Sequence, residues 1–290
     1  MVAPRAMARA LPISQAMRTE CGEDAQVLVD WLSPWLRSGG SLLFMTDYDG
    51  TLTPHVADPA EAKLAKEVQR YLSDLARSPS VRLAVVSGRD LGDVTQRVAV
   101  PGAVYAGCHG LVIDGPGIAF SHPQALAQQP MVRALGESLV RRASTIQGMR
   151  VETKRLGVTV HYRHMTAEGR RSFETELARA LHQSHGGRLK IFHGTKAIEI
   201  LPQVGWGKGH CALRIRDWAL ASLPAPMLSV YIGDDWTDEM AFGALVGKAI
   251  TVRVGPPEMA SRATYRVDSV AEVHHLLENL ASAVRQRGAA

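Results

Sequence analysis

The sequence predicts an α/β protein with a Rossmann-like core, built on a parallel sheet and interrupted by a smaller inserted α+β domain. Two patterns predict it. On either side of the middle of the chain, uniformly apolar runs of strand length alternate with helical patterns. A parallel sheet covered on both faces requires that pattern. The middle of the chain instead carries pairs of segments that alternate apolar and polar residues. That is the mark of an antiparallel sheet with one solvated face.

The elements follow in order. The opening "MVAPRAMARALPISQAMRTE" has arginines but no continuous apolar stretch, so it reads as a poorly ordered tail and not as a secretory leader. "DAQVLVDWLSPWLRSGG" reads as a helix pair or kinked helix, broken at Pro34 and stopped at Gly39-Gly40. Residues 1–40 therefore form a tail and helix ahead of the core. "SLLFM" is the first buried strand. Helical spacing of Leu64, Val68, Tyr71, Leu72 and Leu75 follows. "VRLAVV" and "AVYAG" are the next strands, and "PMLSVYIG" and "GKAITVRVG" are two more beyond the insert. The core is thus discontinuous, residues 41–114 and 203–290, with the insert at 115–202. Inside the insert, "MRVETKR" and "LGVTVHYRH" meet at a turn near Leu156-Gly157, a helix covers residues 172–183, and "GRLKIFH" and "KAIEIL" pair around Gly194-Thr195.

Composition narrows the function. The 290 residues are 46% apolar, enough for a sizeable core. The net charge of +5 comes from scattered Lys and Arg, with no basic track interleaved with aromatics. An anionic small molecule suits it better than nucleic acid. Cys21, Cys108 and Cys211 are odd in number and lack CxxC spacing, which fits a reducing compartment and no disulfide or zinc framework. No window reaches the roughly 18 apolar residues of a membrane span. The expected protein is cytoplasmic and monomeric, with neither a nucleic-acid nor a membrane partner.

Four short stretches carry the chemistry. "DYDGT" follows "LLFM", "SGRD" follows "LAVV", "GWGKGH" opens the helix "CALRIRDWAL", and "GDDWTDE" follows "LSVYI". In an open parallel sheet, ligands bind beyond the carboxyl ends of the strands, so three of the four converge on one crevice and the fourth can reach it. Their acids suit Mg²⁺, a hard cation that takes few protein ligands. Their lysine, serine and glycine amides suit phosphoryl oxygens. Other motifs fail on particular residues. Leu52 replaces the glycine that a calcium loop needs, Val85 the first glycine of a nucleophile elbow, and Pro202 the first glycine of a Walker A loop.

Together "DYDGTL", "SGR", the lone "KG" lysine and "GDD" resemble the four motifs of the haloacid-dehalogenase-like (HAD) phosphohydrolases. The longer stretches "DYDGTLTP", "VSGR", "HGLVIDGPG", "VETK", "VTVHYR", "KAIEILP", "WGKG" and "GDDWTDE" resemble the trehalose-6-phosphate phosphatase family. Two positions depart from that family's usual pattern, Cys108 and His55. Neither is expected to touch a motif acid.

The resemblance implies a Mg²⁺-dependent phosphatase of trehalose biosynthesis, acting on a small sugar phosphate. It implies Asp47 as nucleophile, Asp49 as general acid and base, and Lys208 on the phosphoryl group. Mg²⁺ would bind Asp47, the Asp49 backbone carbonyl and Asp234, with Asp235 and Asp238 behind them. Thr51 would fix Asp49 or the phosphate, and Ser87, Gly88, Arg89, His109 and Gly110 would line the phosphate and substrate. His109 reads equally as a satisfied core histidine. In the insert, Glu152 and Lys154 share one strand face, and His161 and Arg163 share one on the next. With Glu199 they are candidates for sugar hydroxyls, or else a solvated outer face. Trp206 would pack near the cleft, and Trp236 in the core.

Overall fold

The computed structural model describes residues 24–184, 187–194 and 196–288. The expected N-terminal tail and Thr195 lie outside the described residues. The chain begins with α1 (Asp24–Arg37), β1 (Ser41–Thr46), α2 (Lys66–Arg77), β2 (Val81–Val86), α3 (Leu91–Val98), β3 (Val104–Gly107) and the short strands β4 (Val112–Gly115) and β5 (Ile118–Ser121). Then come α4 (Pro123–Ala127), α5 (Gln129–Ala143), β6 (Arg150–Lys154), β7 (Gly157–His161), α6 (Ala167–Ser184), β8 (Leu189–Gly194) and β9 (Ala197–Pro202). Last are α7 (Lys208–Ser222), β10 (Met227–Gly233), α8 (Trp236–Ala244), β11 (Ile250–Val254), β12 (Tyr265–Val267) and α9 (Val270–Gly288).

Among the described residues two compact units result, 24–119 with 206–288, and those between 120 and 205. Strand β4 pairs antiparallel with β3 and stays with the first unit.

The first unit is a sheet in the order β12-β11-β10-β1-β2-β3-β4-β5. Strands β1, β2, β3, β10, β11 and β12 are parallel. All six β1 positions are buried, so this strand needs cover on both faces. One face meets α1, α2 and α9 through Leu28, Leu32, Trp35, Leu72, Leu276 and Leu280, packed on Leu42, Phe44, Leu83 and Val230. Helices α7 and α8 pack on each other and on β1, β2 and β10. Each fully buried aliphatic or aromatic side chain here contributes about 1.5–3 kcal/mol.

Of the two readings at Pro34, the helix pair is absent: α1 is one helix with Pro34 inside it. Proline removes a single donor, and α1 is held by its packed face of Leu28, Leu32, Trp35 and Leu36. The chain runs outward from β1 through β2 to β3, then returns to β10 on the other side of β1. That reversal is the topological switch point of the sheet. Among the described residues, no helix is long and apolar enough to cross a membrane.

The second unit is an antiparallel sheet in the order β6-β7-β9-β8. Val158, Val160, Ile198 and Ile200 on one face pack against Val132, Leu135 and Leu139 of α5 and Phe173 and Leu177 of α6. The β6–β7 turn is Arg155-Leu156, because Lys154 pairs with Gly157.

Candidate active site

Backbone geometry builds the site from the switch point. Asp47 is the first residue past β1, and its N–H donates to the Ile232 carbonyl of β10 at 2.9 Å. Asp234 is the first residue past β10. Two neighbouring parallel strands therefore end in an acid each. The turn after Asp47 requires Gly50, which has φ +81°. A Cβ there would also meet Asp234 Oδ2 at 2.2 Å, so only glycine lets the two acids approach.

Lys208 lies at the buried start of α7, 1% exposed. Its Nζ reaches Asp238 Oδ1 at 2.9 Å, Asp47 Oδ2 at 3.2 Å and Asp235 Oδ1 at 3.9 Å. Asp235 caps α8, accepting from the N–H groups of Thr237 and Asp238 at 2.7 and 3.0 Å. Asp238 accepts from Lys208 and from the Tyr231 hydroxyl on Oδ1, at 2.9 and 2.8 Å. Its Oδ2 accepts from the N–H groups of Asp234 and Asp235, at 3.1 and 3.2 Å. Asp238 is therefore saturated, and Asp47 and Asp234 are the acids with capacity to spare.

The electrostatics favour a cation at this cluster. Burial pushes the Asp47 carboxyl well above its ordinary value; Lys208 opposes this, and Asp238, Asp234 and Asp235 reinforce it. Burial likewise pushes Asp238 up to about 7 despite Lys208. Burial works against the Lys208 ammonium, yet Asp238, Asp47 and Asp235 keep it charged, well above its usual range. Asp235 is held well below its usual range, against burial, by Lys208 and by hydrogen bonds. Three acids thus meet one ammonium, and oxygens of Asp47, Asp234 and Asp238 lie within 4.8 Å of one another. A divalent cation with oxygen preference fits this donor set.

Several expectations change. Thr51 donates to Asp234 Oδ1 at 3.3 Å and not to Asp49. His55 does touch a motif acid: its Nε2 lies 2.8 Å from Asp234 Oδ2. The hydrogen bond to Asp234 raises the His55 pKa, against the effect of burial. Arg89 is drawn onto Asp49, with Nε to Oδ2 at 2.6 Å and Nη2 to Oδ1 at 2.7 Å. Trp236 is 45% exposed and not a core residue. Trp206 donates to the Gly110 carbonyl at 2.7 Å and stacks on His210.

Ser87 is buried beside this cluster, its Oγ accepting from the Arg89 N–H at 3.1 Å. The next turn is bonded to it, with His109 N–H to Ser87 O at 2.9 Å and Cys108 N–H to Arg89 O at 2.7 Å. Cys108, His109 and Gly110 have φ of +51°, +58° and +86°. Two consecutive non-glycine residues at positive φ carry backbone strain, about 1–3 kcal/mol each. A Cβ at Gly88 would meet the His109 ring at 2.7 Å, so the glycine lets that ring lie over the loop.

In the second unit, register makes a row. Glu152 pairs with Thr159, and Thr159 with Glu199. Lys154 Nζ meets Glu199 Oε1 at 2.5 Å, and His161 Nε2 lies 3.3 Å from Glu152 Oε2. These residues share the face opposite the apolar one. Arg163 does not join them: β7 ends at His161, and Arg163 is exposed in the turn beyond. Thr159, which the sequence reading missed, is 7% exposed, and its Oγ1 is buried without a hydrogen-bond partner. Tyr231 and Asp93 were missed too. A tyrosine inside an apolar strand next to "GDD" was the available signal for the first.

Comparison with known proteins agrees with this geometry. The trehalose-phosphatase family model matches residues 45–273. The trehalose-phosphate phosphatase of Mycobacterium tuberculosis (strain H37Rv) is 38% identical over 245 residues, 83% of this chain and 61% of that protein. The corresponding Mycobacterium avium protein is 37% identical over 246 residues, covering 81% of this chain and 61% of that one. This chain thus aligns with about three fifths of the length of these relatives. A solved trehalose-6-phosphate phosphatase related protein superposes with a TM-score of 0.73 at 23% identity, covering 85% of this chain and 99% of that one. An Aspergillus fumigatus trehalose-6-phosphate phosphatase gives a TM-score of 0.58 at 27% identity, covering 90% of this chain and 98% of that one. With its strand-end acids, its buried lysine and this match, the chain belongs to the trehalose-phosphatase family.

Proposed function

We propose that this chain hydrolyses trehalose 6-phosphate to trehalose and phosphate, with Mg²⁺ as cofactor. The observation that carries the reading is the buried cluster of Asp47, Asp234 and Asp238 around Lys208 at the β1–β10 switch point. Family membership supports the substrate class.

In this reading a carboxylate oxygen of Asp47 attacks phosphorus, and the bond from phosphorus to the sugar oxygen breaks. Asp49 gives its proton to the departing oxygen. Asp49 then takes a proton from the water that attacks the aspartyl-phosphate, which releases phosphate and restores Asp47. Lys208 and Ser87 hold phosphoryl oxygens. Asp235 and Asp238 hold Lys208 and the start of α8 in place. Asp47, Asp234 and the Asp49 backbone carbonyl would hold Mg²⁺, which supplies positive charge that keeps Asp47 ionised and offsets developing phosphoryl charge. The row Glu152, Lys154, Thr159, His161 and Glu199 supplies the donors and acceptors for sugar hydroxyls.

The test is phosphate release from a panel of trehalose 6-phosphate, sucrose phosphate, mannosyl-phosphoglycerate and glucose 6-phosphate, with and without Mg²⁺. The expected result is Mg²⁺-dependent release with trehalose 6-phosphate preferred. Preference for another member would move the substrate and keep the chemistry. Binding without release from any member would make the chain a sugar-phosphate sensor.

A further inference from the structure

Arg89 is the residue whose surroundings differ most from what its motif implies. Its position in "SGRD" reads as a phosphate ligand, yet its hydrogens are spent elsewhere. Nε donates to Asp49 Oδ2 at 2.6 Å. Nη2 donates to Asp49 Oδ1 at 2.7 Å and to the Pro59 carbonyl at 2.8 Å. Nη1 donates to Asp93 Oδ2 at 2.8 Å. A guanidinium has five N–H donors, so four are engaged, and the side chain is only 8% exposed.

The surroundings hold the guanidinium still. Its Cζ lies over the Tyr48 ring, 5.2 Å from the centroid. Asp93 is itself held by Arg97 Nε at 2.8 Å. Arg97 in turn donates to the carbonyls of Ala60 and Ala62, at 3.2 and 2.8 Å. Burial opposes ionisation of Asp93, but Arg97 and Arg89 hold its carboxyl below the ordinary value. The fork is thus clamped between the start of α3 and the 59–62 segment before it meets Asp49. Asp49 lacks comparable restraint of its own, with a side chain 34% exposed.

We propose that Arg89 is a positioning residue for Asp49 and not a ligand of the phosphate, a reading that rests on the role of Asp49 given above. A bidentate fork fixes both torsions of the Asp49 side chain, because the two parallel hydrogen bonds define the carboxylate plane. Held there, Asp49 keeps its carboxyl beside the bond that breaks. It releases one oxygen from the fork when it carries the proton to the departing sugar oxygen. Without the fork a half-buried Asp49 samples several rotamers, and the proton is delivered less often.

A positioning role has a signature that a phosphate contact lacks. Proton delivery matters when the departing oxygen is a poor leaving group, as a sugar alkoxide is. It matters little for p-nitrophenolate, which leaves without a proton. The experiment measures kcat/KM, which stops at the first irreversible step and excludes hydrolysis of the aspartyl-phosphate. Arg89→Met is expected to lower kcat/KM for the sugar phosphate by about 10–100-fold more than for p-nitrophenyl phosphate, part of the 10²–10⁴ that a general acid supplies. Arg89→Lys, which restores the charge without the fork, is expected to recover only part of this loss.

Asp49→Asn serves as reference. If it shows leaving-group-dependent loss and Arg89→Met does not, the positioning role alone is overturned. If Asp49→Asn itself shows no such dependence, the general-acid reading fails. Equal losses on both substrates with Arg89→Met overturn the inference in favour of a phosphate contact. Should Arg89→Met fail to fold, Asp93→Asn loosens the same fork from behind. It is expected to shift the ratio in the same direction by a smaller factor, and an unchanged ratio in a folded Asp93→Asn overturns the inference as well.

Discussion

The two units handle polar side chains in opposite ways. In the first unit, Lys208 and Asp238 are fully enclosed, with no polar group of Asp238 left over. In the second, Lys154–Glu199 and Glu152–His161 form separate pairs along one sheet face, and Thr159 keeps an idle hydroxyl. A closed network fixes a geometry, and an open row leaves bonding capacity for something else. The difference fits a division of labour in which the first unit performs the phosphoryl chemistry and the second recognises the sugar.

The sharpest way to break that comparison is Asp47→Asn. It removes a buried charge at nearly constant shape. Turnover of both trehalose 6-phosphate and an aryl phosphate is expected to fall by more than roughly 10⁴-fold, as for removal of other covalent nucleophiles. Asp49→Asn is expected to retain more, with a loss of about 10²–10⁴-fold on the sugar phosphate. Initial rates on both substrates, with mass spectrometry to exclude deamidation, decide it. An active Asp47→Asn would falsify the aspartyl-phosphate route.

The division is expected to reappear in the second unit as selective damage. Glu199→Gln breaks the pair with Lys154, 2.5 Å apart and mostly buried. Loss of a buried charged partner costs about 1–3 kcal/mol, so kcat/KM for the disaccharide phosphate is expected to fall roughly 5–150-fold. Aryl phosphate turnover is expected to hold within about twofold. Equal losses on both substrates would mean that the row supports the fold and does not read the sugar.

The same contrast explains what could be read without a structure. In the parallel sheet, functional residues sit where strands end, so "DYDGT", "SGRD" and "GDDWTDE" are contiguous and legible. What contiguity hides is the partner. Asp47 meets Lys208, Asp49 meets Arg89, and Thr51 and His55 meet Asp234, over separations of 40 to 183 residues. The motif of Arg89 says phosphate, and only the structure adds its bonds to Asp49. In the antiparallel sheet the candidates lie along strands, spaced by two, and resemble any solvated face. Register aligns Glu152, Thr159 and Glu199. Arg163 lies outside the row because β7 stops at His161.

Metal and pH sharpen the first unit further. An unfolded chain releases the Asp238 proton near 3.8, whereas the folded, metal-free protein keeps it to about 7. Asp47 shifts in the same direction. The folded state then binds more protons than the unfolded one, so stability falls as pH rises from about 4 to about 7. Asp93 and Asp235, both depressed, act below that window. A cation in the cluster offsets the burial and the neighbouring acids, so Mg²⁺ is expected to raise Tm more at pH 7 than at pH 5. The difference should be about 2–4 °C for each kcal/mol. Asp47→Asn is expected to shrink it. Equal gains at both pH values would separate the metal from these acids.

The smallest expected effect concerns Thr159, and its sign is what informs. Thr159→Val deletes a hydroxyl at nearly constant volume, at a position 7% exposed. The hydroxyl has no partner in the free protein, so burying it costs stability, and its removal is expected to raise Tm slightly. If a sugar hydroxyl bonds it in the complex, the same change lowers kcat/KM for the disaccharide phosphate. One neutral hydrogen bond is worth about 0.5–1.5 kcal/mol, or roughly 2–12-fold. Aryl phosphate turnover is expected to stay constant. A rise in Tm with a fall in sugar-phosphate kcat/KM is the pattern of a group held for a ligand. A rise in Tm alone would confine recognition to the Lys154–Glu199 and Glu152–His161 pairs. A fall in Tm would mean that the hydroxyl serves the fold, and the middle of the row would drop out of the substrate site.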